Sequence, residues 1–340
     1  MPISKEYLVR RLLSLVVIVF GVLVITFIIT RVIPSRPELL WAGPHATMEQ
    51  IERARKELKL DQPIYMQLYY YLSDFLKGDW GVSWRTRQPV LNDVLTALPA
   101  TLELVMVAFA LAVAMGIPLG VIAALKRNTW IDHAIRTLSV LGVSVPVFWL
   151  ALVLQLALSN WLGILPGAKR VDEYVVYTTG FKEVTGFVLL DSLIEGNLTV
   201  FFNALHHILL PAAVLMTYPL GLTARMTRAV MVEVLNEPYT RGLSAWGLPR
   251  RIVIYKYALK NAIAPVIASL GLSFGYTIIG AFMVELIFVW PGLGLYAAMS
   301  LLSFDYPAIM GCIVIAAIIY TVTNMVVDIV HATIDPRVKL

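Results

Sequence analysis

Six stretches of about 20 or more mostly apolar residues divide the chain, with polar segments of uneven length between them. Each matches the roughly 30 Å of hydrocarbon that a helix of about 20 residues crosses. They predict transmembrane helices over about 12–33, 101–125, 138–161, 208–230, 266–289 and 308–330. The second is expected to begin after Pro99, since proline suits the first turn of a helix. The fourth contains Pro211 and Pro219, which a membrane helix accommodates when neighbours satisfy the freed backbone groups. The first follows Arg10 and Arg11 like a secretory signal, but it exceeds the usual apolar run of roughly 7–15 residues and no small-residue cleavage site follows, so it is expected to stay.

Two polar segments carry a pattern of their own. After Thr47, with Glu49 and Gln50 behind it, Ile51, Ala54 and Leu58 recur at helical spacing. The second half of this segment is crowded with Tyr65, Tyr69, Tyr70, Tyr71, Phe75, Trp80 and Trp84. Aromatic residues beside a bilayer read first as interface anchors, and second as a surface that receives an external partner. The other segment, residues 237–265, holds five Lys or Arg residues against Glu237 alone. Its charges are interrupted at Gly247-Leu248-Pro249, where glycine permits a helix to end and proline suits the first position of the next. Two short helices with a corner between them are expected. A loop serving only membrane topology or lipid contact needs charges in any order; a corner is a docking element.

Composition agrees with a membrane protein: of 340 residues 59% are apolar and 14% charged, with a mean hydropathy of +0.78, whereas soluble domains carry about a quarter charged residues. Orientation follows from the basic residues of the shorter connections. Placing both termini inside puts Lys5, Arg10, Arg11, Lys126, Arg127, Arg136, Arg337 and Lys339 in the cytoplasm, together with the basic segment. The outer loops then hold Lys169, Arg170 and Lys182, and the first loop is long enough to cross regardless of its charge.

Candidate chemistry is sparse. The lone Cys312 allows no disulfide framework and reads as a small packing residue. No phosphate-cradling loop, zinc-protease helix or nucleophile elbow is present. Adjacent helical side chains such as His206 and His207 point about 100° apart, which disfavours a shared metal. Glu103, Glu285 and Asp328 lie near span ends; helix-end hydrogen bonding is the first reading for each and a translocation role the second. An ion-coupled carrier commonly places acids at mid-membrane, and that signature is weak here. Asn197-Leu198-Thr199 matches a glycosylation triplet, a pattern frequent by chance.

The chain resembles the permease subunits of dipeptide and oligopeptide ABC importers, the inner-membrane components of binding-protein-dependent transport systems. The likeness covers nearly the whole length. It rests on "YLVRRLLSLVVIVFGVLVITFIITRVIP", on "KELKLDQPIYMQLYYYLSDFLKGDWGVSW" followed by "LPATLELV", on "VSVPVFWLALVL" with "LGILPGA", on the segment "TGFVLLDSLIEGNLTVFFNALHHILLPA", and on "VELIFVWPGLG", "FDYPAIMG" and "NMVVDIVHATIDPRVKL" at the end.

The resemblance implies an all-α membrane protein of six transmembrane helices with the type I ABC importer permease fold. It implies a first helix within residues 1–34, an extracytoplasmic domain at 35–98, and a core permease domain at 99–340 whose cytoplasmic coupling loop spans 231–263. Residues 237–265 are similar to the EAA-type loop, whose short helix seats in a cleft of the ATP-hydrolysing subunit. Tyr239, Arg241, Ala245 and Gly247 occupy the positions of the family's Tyr-x-Arg-x-x-x-Ala-x-Gly pattern. Gly242 and Leu243 depart from the expected Thr and Ala, Trp246 stands where a Lys or another polar residue is common, and Pro238 replaces an acidic residue at the helix start. Ser144, Gln155 and Ser273 are candidates for the lining of the path. The implied partners are a second related permease, two ATPase subunits that bind ATP and Mg, an extracytoplasmic solute-binding protein and membrane lipid, with no nucleic acid and no cofactor on this chain. The family implies a prokaryotic cell membrane and no enzymatic activity of the chain itself. Peptide is the first expectation for the substrate, with oligosaccharide, nickel chelates or glutathione as alternatives. The rivals from other classes are an ion-coupled secondary carrier and a membrane scaffold or receptor, and both leave the pattern of the basic segment unexplained.

Overall fold

A computed structural model describes residues 5–28, 37–43 and 45–334. The expected end of the first span, the boundary at residues 34 and 35, and the closing Asp335-Pro336-Arg337 lie outside the described residues. In chain order the helices are α1 (Lys5–Phe27), α2 (Pro37–Ala42), α3 (Met48–Glu57), α4 (Ile64–Leu76), α5 (Val90–Leu125), α6 (Trp130–Ser144), α7 (Val147–Leu154) and α8 (Glu173–Thr179). They continue as α9 (Val188–Ile194), α10 (Leu198–Leu215), α11 (Thr217–Asn236), α12 (Pro238–Ala245), α13 (Arg250–Ile252), α14 (Leu259–Ile287), α15 (Leu293–Leu302) and α16 (Tyr306–Ile334). Wider π turns follow α7 at Gln155–Trp161 and precede α14 at Val253–Ala258. Among the described residues the one β feature is a bridge between Val82 and Pro89.

Among the described residues five helices are long and apolar enough to cross a bilayer, and a sixth crossing results if the bent pair of α6 and the segment from Val147 to Trp161 counts as one. Three expectations from the sequence are corrected in detail. The second span does not begin after Pro99: α5 starts at Val90 and carries Pro99 and Pro118 inside it. Val90 and Val94, one turn apart, are fully buried, and that burial holds the two turns ahead of the proline. The third span is not one rod. Val145 is pushed to an extended conformation (φ −76°, ψ 128°) ahead of Pro146, as the residue before a proline is, and the axis bends by 106°. The fourth is two helices that meet at Met216: α10 begins well before residue 208, and α11 carries the polar and basic residues.

The chain forms two compact units, and α5, α15 and α16 each run from one into the other. The larger comprises Met1–Tyr7, Pro99–Gly294 and Val322–Leu340. Its core gathers Leu104, Val105, Ala108, Ile208, Leu210 and Phe288, among other residues of α5, α10 and α14. In the same unit α11 packs against α6 and α14. Small residues bring the backbones together: a Cβ added at Gly221 would stand 2.5 Å from the Ser139 carbonyl oxygen, and one at Gly120 would stand 2.7 Å from that of Ala224. Close approach through small residues is the usual means of helix association in lipid, where no hydrophobic drive operates between helices.

The smaller unit comprises Leu8–Leu98 and Leu295–Thr321. The sequence signal at Thr47 is realised there as a full capping box, with the Thr47 hydroxyl accepting from the Gln50 amide at 3.3 Å and the Gln50 side chain accepting from the Thr47 amide at 2.8 Å. Its aromatic residues divide in two. Tyr65 and Tyr69 are exposed, but Phe75 stacks on Trp80 at 4.8 Å and Trp84 meets Tyr306 edge-on at 5.5 Å. Some of the rings therefore pack on one another instead of serving as anchors alone. Asp305, fully buried, ties this unit: it accepts from the Ser83 hydroxyl at 2.5 Å and the Arg85 amide at 3.1 Å, and from the Ala308 amide at 3.3 Å in the first turn of α16.

Candidate functional site

The basic segment leaves α11 at Asn236 and turns at Glu237, whose extended backbone (φ −62°, ψ 144°) sets Pro238 at the first position of α12. The helix start expected at Pro238 is thus present. The helix stops at a Schellman closure. Gly247 takes a left-handed φ of +80°, its amide donates to the Ser244 carbonyl at 3.1 Å, and the Leu248 amide reaches back to the Leu243 carbonyl at 3.3 Å. The corner is present, but the second arm is not a short helix. Pro249 is the residue before α13, not its first position, and α13 continues through the π turn into α14 as one crossing from Arg250 to Ile287.

One face of α12 is fixed and the other is open. Thr240 is buried, and its hydroxyl donates to the Val234 carbonyl at 2.8 Å, satisfying one of the last carbonyls of α11. The Tyr239 hydroxyl accepts from Asn261 Nδ2 at 2.8 Å, which ties α12 to α14. Beneath lies a cluster of Val121, Ala124, Met231, Ile254, Ala258 and Ala262. Arg241 and Ala245 are exposed, and a Cβ added at Gly242 would meet nothing within 4 Å. Trp246 is 83% exposed. A large indole this exposed is uncommon, since Trp is highly buried on average.

A second feature of this region escaped the sequence reading. Arg228 of α11 donates from Nε to Asp132 Oδ1 at 2.5 Å and from Nη2 to Oδ2 at 2.7 Å. Asp132, fully buried, also accepts from the Asn128 amide at 3.0 Å. A forked pair of this kind fixes direction as well as distance. Its only trace in the sequence is one acid among the basic residues between Lys126 and Arg136, with nothing to pair it to a residue 96 positions away.

The three lining candidates sit in different surroundings. Ser144, the last residue of α6, is exposed. Gln155 donates to the carbonyls of Gly167 at 2.6 Å and Ile287 at 3.2 Å. Ser273 is fully buried, with its hydroxyl on the Leu270 carbonyl of its own helix at 2.8 Å. Two of the acids near span ends are engaged in local structure. Glu103 pairs with Arg170 at 2.6 Å and accepts from the Leu189 amide at 2.8 Å. Glu285 accepts from the Gly294 amide at 2.6 Å at the start of α15. His206 and His207 bond to the carbonyls of Ile164 and Asn203, each at 2.9 Å. Asn197 caps α10 by accepting from the Val200 amide at 3.2 Å, which accounts for the asparagine of the glycosylation-like triplet.

The arrangement defines a multi-span membrane protein that presents a short, rigidly based helix beyond its spans. The chain belongs to the binding-protein-dependent transport system inner membrane components: that family matches residues 116–340, and its N-terminal component matches residues 5–105. It is a permease, as its relatives are. It is 45% identical to a probable D,D-dipeptide transport system permease protein of Escherichia coli K12, over 97% of this chain and 96% of the relative. It is 39% identical to a di/tripeptide transport system permease protein of Pseudomonas aeruginosa, over 98% of each. It is 36% identical to a dipeptide transport system permease protein of Alkalihalophilus pseudofirmus, over 98% of this chain and 99% of the relative.

Proposed function

We propose that this permease takes up short peptides in an ATP-driven importer, with α12 as the helix that receives motion from an ATPase. The observation that carries the reading is the two-sided character of α12: Tyr239 and Thr240 hold it, while Arg241, Ala245 and Trp246 face outward ahead of the turn at Gly247. Two ATPase subunits, which bind ATP and Mg, dock one at each such helix, one on this chain and one on a second, related permease. Closure of the ATPases moves the two docking helices, and rigid-body rearrangement of the spans alternates access to a path between the permeases. A solute-binding protein delivers substrate on the opposite side. The basic segment and both termini are cytoplasmic in a prokaryotic inner membrane, a reading supported by the bias of Lys and Arg toward the cytoplasmic side. Peptide is favoured as substrate because the most similar relatives named above carry dipeptides or tripeptides by their names.

The test is a mild-detergent capture of the tagged chain from its native membranes, with co-purifying proteins identified by mass spectrometry. Recovery of a second permease, ATPases and a solute-binding protein supports the reading. Recovery of the chain alone, after crosslinking and with ATP hydrolysis blocked, overturns it.

A further inference from the structure

In the smaller unit a cavity of about 280 Å³ lies among α3, α4, residues 79–84 and the start of α16. Its charged lining is mostly acidic: among the described residues Glu57, Asp74 and Asp79 line it with one cation, Lys59. Its apolar surface is partly aromatic, with Trp41, Tyr70, Trp80 and Trp84 lining it beside Leu58, Val82, Pro307 and Met310. Ring faces attract cations, and this unit already uses them so. The Lys59 ammonium sits 4.3 Å from the centre of the Tyr70 ring and 3.1 Å from Asp74 Oδ2, and the Arg87 guanidinium stands 4.5 Å from that of Trp41.

Gln67 adds an independent sign. Its amide nitrogen donates to the Gln62 carbonyl at 2.8 Å, which assigns the oxygen to the other side. That oxygen is buried and lacks a hydrogen-bond partner among the described residues, and Gln67 lines the cavity. A buried acceptor left unmet is costly, so the site calls for a donor.

We propose that this cavity binds a primary organic ammonium group. A group with three N–H donors can meet a carboxylate and the Gln67 carbonyl together while its charge faces the rings. A neutral alcohol supplies one donor and no charge, and an anion is repelled by the carboxylates. The volume falls just under the usual range of about 300–1,000 Å³ for ligand pockets. It admits a headgroup or a small amine and excludes an extended peptide. The ammonium comes either from an ethanolamine lipid headgroup or from a soluble amine. The proposal is independent of the docking role of α12.

The test uses the full chain in nanodiscs of phosphatidylglycerol, which has no amine. It is titrated calorimetrically with 2-phenylethylammonium, with 2-phenylethanol as the neutral control. Saturable one-to-one binding is expected, at least about tenfold tighter for the ammonium than for the alcohol. Glu57→Gln, which keeps an acceptor for the Trp41 indole, should weaken the ammonium about fivefold or more. Lys59→Met removes the resident cation and should tighten it, a direction that loss of folding cannot mimic. In nanodiscs containing phosphatidylethanolamine, a fall in apparent affinity that scales with that lipid assigns the site to the headgroup, and an unchanged affinity assigns it to a soluble amine. Equal binding of amine and alcohol, absence of saturation in phosphatidylglycerol, or weaker binding by a folded Lys59→Met chain overturns the proposal.

Discussion

Arg228 grips Asp132 with two donors on two oxygens, and the carboxylate is closed to solvent. The contact joins α6 to α11 two turns before the stem gives way to α12. Removing one partner leaves the other charge buried and uncompensated, a loss of about 3–5 kcal/mol. Arg228→Ala should therefore lower the thermal midpoint of the detergent-solubilised chain steeply. Arg228→Lys, which keeps the charge but not the fork, should fall between. A melt for Arg228→Ala that superimposes on the unchanged protein would show that the pair contributes nothing.

Gly221 tests the packing of the same helix. Its added methyl would meet the Ser139 backbone oxygen, which has no rotamer by which to move aside. Gly221→Ala should destabilise by about 1–3 kcal/mol or more. Gly21, where an added Cβ meets nothing within 4 Å, is the control, and Gly21→Ala should lose no stability.

Trp246 separates docking from folding. At 83% exposure its removal should change stability by no more than about 0.5 kcal/mol. In the assembled transporter, Trp246→Ala should nonetheless reduce both ATPase co-purification and uptake. Full retention of both, measured side by side, would remove Trp246 from the contact. Gly247→Ala acts differently, since φ +80° is strained for any residue with a side chain. It should cost about 1 kcal/mol or more through the turn itself.

Asp191 gives a pH dependence outside the spans. Burial alone would raise its carboxyl. The Thr185 hydroxyl at 2.6 Å and the amides of Val184, Thr185 and Gly186 at about 3.0–3.1 Å outweigh that and hold it below the ordinary carboxylate value. A lowered carboxyl contributes stability that is complete above its unfolded value near 3.8 and is lost as the pH falls through the folded value. Protection of the amides of residues 184–191, corrected for the intrinsic exchange rate at each pH, should fall only in acid, and in Asp191→Asn it should already be low at neutral pH. Equal protection in the two chains at neutral pH would refute the role.

What could be read from the sequence was local. A capping box needs residues three apart, so the start of α3 at Thr47 was visible in advance. The apolar runs marked the spans because the bilayer imposes one length on them. The breaks were harder. Pro146 divides one span by 106°, whereas Pro99, Pro118 and Pro211 are carried inside helices, and residue type alone does not tell the two cases apart. The direction in which α12 faces depended on Thr240 being covered by α11, and the Asp132–Arg228 pair required two helices to be placed first. Ser273 stands out in the sequence as polar in an apolar run, but the bond its hydroxyl gives to the Leu270 carbonyl of its own helix is not legible there.

The threonine and glycine positions of α5 and α11 bear on how these two helices can shift against each other. Gly116 lies against Thr223, and Gly120, one turn on, lies against Thr227. Side chains meshed at successive turns act as a rack with stops. The next matching seat lies one helical turn away, about 5.4 Å along the axis. A helix toothed in this way holds its place under a small load and moves, when it moves, by whole settings.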